Sequence, residues 1–479
     1  MSGTTRLEHD LLGEREIPEQ AYYGVHTLRA VENFKITGTP ISAYPDLVNA
    51  LACVKQAAAL ANCDLGLLDP KLTRAIVTAC EEIRAGALHD QFVVDVIQGG
   101  AGTSTNMNAN EVIANLALQI LGRPHGDYSV LHPNEHLNLS QSTNDAVPTA
   151  LKIAAWRGIH HLIEAMDALR AAFEAKSREF KDIVKMGRTQ LQDAVPMTLG
   201  QEFSTYAVML SEDAERLRDT TSLLCEINMG ATAVGTGINT HPEYAGIVCR
   251  HLARITGIAF VTAPNLVEAT QDAGAFVQLS GVLKRVAVKL SKVCNDLRLL
   301  SSGPRAGLGE INLPPMQAGS SIMPGKVNPV IPEVVNQIAF EVIGNDVTVS
   351  FAAEAGQLQL NAFLPIIAHS IFESITHLRN GCLTLAERCV RGITANRDRI
   401  AEHMNRSIGI VTALNPHIGY ANATEIAQEA LRTGRSVADL IVEKKLLTRE
   451  QLSEILSPEK LTQPVEPPRS ARSKGRAAG

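Results

Sequence analysis

Apolar residues recur at spacings of three and four along several stretches of the chain, a 3.6-residue period that predicts long amphipathic helices. One stripe runs through Ile159, Leu162, Ile163, Met166, Leu169 and Phe173, and a second through Phe203, Tyr206, Ala207, Leu210, Ala214, Leu217 and Leu224. A third, from Phe276 through Leu279, Leu283, Val286, Leu290, Val293 and Leu297 to Leu300, also carries Val277, Val282, Ala287, Val288 and Leu299 on its other faces. Residues 332–353 and 364–390 complete five candidate helices. A helix of about 30 residues is about 45 Å long, which suits a bundle. One that is apolar over most of its circumference has to be surrounded, so bundles from several copies of the chain are expected to pack side by side.

Shorter helical patterns at 47–61, 71–85 and 108–121 precede the bundle, among loops holding Pro40, Pro45, Pro124 and Pro133, and further short helices follow at 396–456. The pattern predicts an all-α chain with a mostly helical N-terminal domain (residues 1–141), a central helix-bundle domain (142–395) and a small C-terminal helical domain (396–460). Residues 461–479 combine three prolines with Arg469, Arg472, Lys474 and Arg476 and few apolar residues, so a disordered, solvated tail is expected there rather than a nucleic-acid arm.

Composition narrows the function. Hydrophobic residues make up 45% and charged residues 20% of the 479, which is globular rather than disordered or membrane-like. Lys and Arg number 44 against 50 Asp and Glu, so no basic field is available to hold nucleic acid or an anionic membrane, and an anionic ligand has to be caught locally. With no secretory h-region and no apolar run of roughly 18 residues, a cytoplasmic protein is expected. The eight cysteines form no C-x-x-C pair and read as reduced core thiols rather than a metal site or disulfide framework.

Three polar, Gly-rich stretches interrupt the helical background. Gly99-Gly100-Ala101-Gly102-Thr103-Ser104-Thr105-Asn106 has the composition of an anion cradle entering a helix N-terminus, although a tight turn capped by Thr105 or Asn106 would use the same residues. Ser140-Gln141-Ser142-Thr143-Asn144-Asp145 again joins hydroxyls to amides at the start of the bundle. Gln317-Ala318-Gly319-Ser320-Ser321-Ile322-Met323-Pro324-Gly325-Lys326-Val327-Asn328-Pro329 places a nucleophile or base, N–H donors and a carboxylate-binding cation within a few residues. The spacing is wrong for a Walker loop, Gly235-Thr236-Gly237 is half a dinucleotide fingerprint, and His160-His161 is an adjacent pair on different helix faces, so neither a nucleotide nor a metal site is supported.

Taken together, these loops resemble the aspartase/fumarase superfamily, whose signature corresponds to residues 319–329. Residues 102–111, Gln141-Ser142-Thr143-Asn144-Asp145 and Gly187-Arg188-Thr189-Gln190-Leu191-Gln192-Asp193-Ala194 match its other regions, and the likeness runs from Asp10 to about residue 456. Ala21-Tyr22-Tyr23-Gly24-Val25-His26-Thr27, Gln141-Ser142-Thr143, Val335-Asn336-Gln337 and residues 355–361 point to the branch that releases ammonia from L-aspartate, rather than to the fumarate hydratases. A catalytically silent scaffold, such as the lens proteins drawn from this superfamily, is disfavoured by the intact Ser320, Lys326, Asn328 and Thr143.

The resemblance implies a three-domain all-α fold with a short N-terminal hairpin, a five-helix bundle packed into a homotetramer core, sites built from three subunits, and chemistry on a small-molecule substrate with no cofactor and no metal. It implies Ser320 as the base and a β-carboxylate held by Thr103, Ser142, Thr143 and the N–H of Ser321. Lys326 and Asn328 would hold the α-carboxylate, with Asn144, Thr189 and Gln190 facing the α-carboxylate or the departing amine. Gln190 stands where many family members carry histidine, and an amide cannot shuttle a proton as imidazole does.

Overall fold

The computed structural model describes residues 4–464, so the expected tail lies outside the described residues from residue 465 onward. The N-terminal hairpin is present: β1 (Thr5–Asp10) pairs antiparallel with β2 (Gly13–Pro18), and Gly13 turns the chain at φ +105°, which a side chain would strain. Helix α1 (Val25–Asn33) follows, then α2 (Pro45–Asp64) and α3 (Pro70–Arg84). Local chemistry sets these starts. Pro45 and Pro70 occupy first-turn positions that need no donor, and the Asp69 carboxylate accepts the N–H groups of Lys71 (2.7 Å) and Leu72 (3.2 Å). Helix α4 spans Thr103–Ile120, starting five residues before the periodicity alone placed it. A side chain just upstream extends it: Gln98 Oε1 accepts the N–H of Thr105 at 2.9 Å and its hydroxyl at 3.1 Å.

The five bundle helices are α5 (Thr143–Glu179), α6 (Leu199–Leu224), α9 (Gly274–Leu300), α10 (Val330–Glu354) and α11 (Leu364–Arg388), with α7 (Tyr244–Thr256) and α8 (Leu266–Gln271) between α6 and α9. No residue of the three sequence stripes exceeds 6% exposure, because each stripe faces the core. Pro148 lies inside α5, where it cannot donate to the carbonyl four residues back. That carbonyl, of Asn144, instead accepts Asn228 Nδ2 at 3.0 Å, so the helix runs through.

Among the described residues strands contribute only two-stranded ribbons, including β3 (Val184–Thr189) with β4 (Gln192–Thr198), and the fold is all-α in class. After α11 come α12 (Arg397–Arg406), α13 (Val411–Ile418), α14 (Tyr420–Thr433), α15 (Val437–Glu443) and α16 (Arg449–Ile455). The chain forms two compact units. One draws on the described residues up to Ala165, Asp213–Val288 and Gln337–Asn380, the other on Met166–Glu212, Lys289–Asn336 and the described residues from Gly381 on. In the second unit Phe180 meets Phe203 edge-on at 5.2 Å, and Leu414, Ile426, Leu440 and Ile441 centre a separate cluster. None of the eight cysteines is disulfide-bonded, and burial raises the thiols of Cys80, Cys294, Cys382 and Cys389. Among the described residues no helix is long and apolar enough to cross a membrane.

Candidate active site

The first unit brings four of the sequence-predicted residues onto two helix starts. Thr103 opens α4 after a left-handed run, Gly100 (φ +89°), Ala101 (+57°) and Gly102 (+95°), and its hydroxyl donates to Gly100 O at 2.8 Å. A Cβ on Gly102 would sit 2.9 Å from Val147 Cγ1, so glycine is required by both space and φ. Thr143 opens α5, and its Oγ1 lies 3.5 Å from Asn106 Nδ2 on α4. Ser142 Oγ accepts the N–H of Asn144 at 3.2 Å. Asn144 donates Nδ2 to Ala233 O at 2.7 Å, which leaves its Oδ1 and its second N–H for a ligand.

Beneath these starts lies a buried polar cage that sequence reasoning missed. Lys55, on α2, donates Nζ to Asn106 Oδ1 (2.7 Å), Gln141 Oε1 (2.8 Å) and Asn138 Oδ1 (3.2 Å). Asp145 accepts the N–H groups of Ser142 (2.9 Å), Gly230 (3.2 Å) and Thr232 (2.9 Å). Burial pulls the Lys55 ammonium down to about 7 against the attraction of Asp145, and burial pushes Asp145 up to about 6 against its N–H donors and Lys55. The available signal was a lone cation in the otherwise apolar Ala50-Leu51-Ala52-Cys53-Val54-Lys55 run. Glu111, buried on α4, accepts the N–H groups of Gly24, His26 and Thr27, so it caps α1.

The second unit holds the remaining six. The loop carrying Ser320, Ser321, Lys326 and Asn328 is closed at its base: Gly319 N donates to Lys326 O at 3.0 Å, and Asn328 Nδ2 donates to Gly319 O at 2.6 Å. A Cβ at Gly319 would fall 2.5 Å from Lys326 O, so the base closes only around glycine. Ser320 Oγ accepts the N–H groups of Met323 (2.9 Å) and Ile322 (3.2 Å). Two donors aimed at that oxygen favour negative charge on it, which a serine base needs. Ser321, Lys326 and the apolar Ile322 (83% exposed) face solvent.

Thr189 and Gln190 sit at the tip of the β3–β4 hairpin, where Gln190 (φ +54°) and Leu191 (+62°) form a two-residue turn in the left-handed region. Side chains at both turn positions store strain, a feature that collects at functional sites. Behind the tip, buried Glu310 contacts Arg188 (2.7 Å), Lys185 (2.9 Å) and His403 (3.1 Å), and Lys185 also reaches Glu202 at 2.6 Å. Burial pushes the Glu310 carboxyl up, but Arg188 and Lys185 outweigh it and hold it below its ordinary value. Glu341, Glu373 and His377, in the first unit, bring three potential metal-ligand atoms within 4.8 Å of one another, with His377 Nδ1 already 2.7 Å from Glu341 Oε2.

The described structure thus presents hydroxyls, amides and one lysine on Gly-rich loops of a helical frame. Residues 13–344 match the family model described as lyase and residues 410–463 that described as fumarase C C-terminus, and the chain belongs to this family, the aspartase/fumarase superfamily. An aspartate ammonia-lyase of Helicobacter pylori is 59% identical over 96% of this chain and 98% of its own length. The aspartate ammonia-lyase of Escherichia coli K12 is 54% identical over 97% and 98%. Among solved structures, a fumarate lyase/delta crystallin from Brucella melitensis bound to cobalt is 55% identical with a TM-score of 0.94, covering 96% of this chain and all of that one. A class II fumarase from Schistosoma mansoni is 35% identical with a TM-score of 0.90, covering 96% and 99%.

Proposed function

We propose that this chain catalyses the reversible elimination of ammonia from L-aspartate to give fumarate. The observation that carries this reading is the 54–59% identity, over nearly the whole chain, to aspartate ammonia-lyases. Ser320, as the alkoxide, takes a proton from Cβ, and the freed electron pair moves onto the β-carboxylate as a doubly negative aci-carboxylate. That pair then forms the C=C bond as the Cα–N bond breaks and its electrons leave on nitrogen. Thr103, Ser142, Thr143 and the N–H of Ser321 hold the β-carboxylate where charge develops, each donor contributing roughly 3 to 4 kcal/mol by analogy with oxyanion holes. Lys326 and Asn328 hold the α-carboxylate.

The leaving group follows from protonation. An ammonium departs as neutral ammonia and needs no acid, so Gln190 in place of an imidazole is no obstacle. A hydroxyl would depart as hydroxide and would need a proton that an amide cannot give. The Oδ1 of Asn144 and the amide oxygen of Gln190 can accept from an ammonium, which offers only donors. Fumarate absorbance with L-aspartate and with L-malate is the test. Roughly 10⁴-fold preference for aspartate is expected, because a hydroxyl leaves the acceptors around the departing group unmatched. Comparable kcat/KM on the two substrates, or a preference for malate, overturns the reading.

The functional unit in this reading is a homotetramer with sites built from three subunits, working in the cytoplasm. A stripe on α10 supports the oligomer: Phe340 (62% exposed), Val347 (50%) and Phe351 (71%) share one face with Gly344, which has open space above its Cα. Unpaired cysteines fit a reducing compartment. Light scattering should give four chains for the wild type and fewer for Phe340→Glu; a monomeric wild type would remove the shared-site proposal.

A further inference from the structure

Lys55 is wholly buried in α2, after the apolar run Ala50-Leu51-Ala52-Cys53-Val54, where a methionine would pack at less desolvation cost. Its three partners at 2.7, 2.8 and 3.2 Å are all amide oxygens. Gln141 Nε2 donates to the carbonyls of Leu137 (2.8 Å) and Leu139 (3.2 Å), which fixes its oxygen toward Lys55. A neutral amine has two N–H groups, so three acceptors fit the ammonium. No carboxylate bonds this cation: the oxygens of Asp145 face the N–H groups of Ser142, Gly230 and Thr232. Its hydrogen bonds all go to amide dipoles, and Asp145 attracts it through space.

The partners also matter by position. Asn106 lies in the first turn of α4, three residues after Thr103, and Gln141 immediately precedes Ser142 and Thr143. One amide, that of Asn106, separates the ammonium from Thr143 Oγ1. We propose that Lys55 is a positioning residue: its ammonium ties the two hydroxyl-bearing loops of the first unit into one carboxylate subsite and places positive charge behind it. The inference rests on the carboxylate-binding role given to Thr103, Ser142 and Thr143 above. A dianion entering the subsite strengthens the charged form of Lys55, and the charge growing in the aci-carboxylate strengthens it further.

Two variants test this, read by kcat, KM and the inhibition constant of fumarate, with fumarate binding also measured by calorimetry. Lys55→Met should lower kcat about 100-fold and weaken fumarate binding about tenfold or more, because both geometry and charge are lost. Asn106→Asp is nearly isosteric, sets a carboxylate against the ammonium and removes the Nδ2 donor to Asn138 Oδ1 (3.0 Å), so the fold should hold while fumarate binding weakens at least about threefold. A purely structural lysine would lower the active fraction, and hence kcat per milligram, but leave KM and fumarate affinity unchanged. If Lys55→Met does not fold, Asn106→Asp decides alone. Fumarate affinity within twofold of wild type in the folded variants overturns the inference. A wild type that binds fumarate but does not turn over L-aspartate overturns the proposed reaction and leaves calorimetry to decide Lys55.

Discussion

Glu310→Gln should loosen the β3–β4 hairpin that carries Thr189 and Gln190. Glu310 is about 1% exposed and its carboxylate contacts Arg188, Lys185 and His403 between 2.7 and 3.1 Å. Breaking a buried pair by removing one charge costs roughly 3 to 5 kcal/mol. Glutamine keeps one acceptor, and Lys185 keeps Glu202 at 2.6 Å, so about 2 to 3 kcal/mol is expected here. Confined to the hairpin, that loss speeds amide exchange in residues 184–198 by about 30- to 150-fold, at about 1.4 kcal/mol per tenfold. Displacement of the tip should lower kcat/KM by about 10- to 100-fold. The same carboxylate sets a pH dependence. Its folded pKa lies below its ordinary 4.5, so its stabilisation is present above that value and is lost as pH falls below it. Hydrogen-exchange mass spectrometry, corrected for intrinsic rates, should show the wild-type hairpin loosening in acid and the variant lacking that step. Exchange within threefold of wild type at neutral pH would refute the reasoning.

Ser320→Ala should cost about 10² to 10⁴ in kcat and under about 1 kcal/mol in stability, since its hydroxyl only accepts two N–H groups on an exposed loop; retention of a tenth of the activity would place the base elsewhere. Lys326→Ala should raise KM and lower kcat together in steady-state assays, because a cation on one carboxylate also offsets charge growing beside it. Gly102→Ala forces φ +95° on a side chain and a 2.9 Å contact with Val147, and should lower thermal stability by roughly 1 to 3 kcal/mol along with dicarboxylate affinity.

The bundle helices were legible in the sequence because a helix buries one face at a fixed period. Ile159 to Phe173 and Phe276 to Leu300 carry that period on their own residues, and each stripe lies in the core. The three loops were legible as composition, since glycines and hydroxyls interrupting apolar helices have no packing reason to be there. What the tertiary structure decided is where residues far apart in sequence meet. Asn228 relieves Pro148 in α5, and Glu111 caps α1 across 84 to 87 residues. Lys55 reaches Asn106, Asn138 and Gln141 across 51 to 86 residues. Such pairings follow no period and no local propensity. Each is a buried polar group whose partner exists only once the helices have packed, so burial, which the sequence expresses as an average, becomes a specific hydrogen bond only in three dimensions.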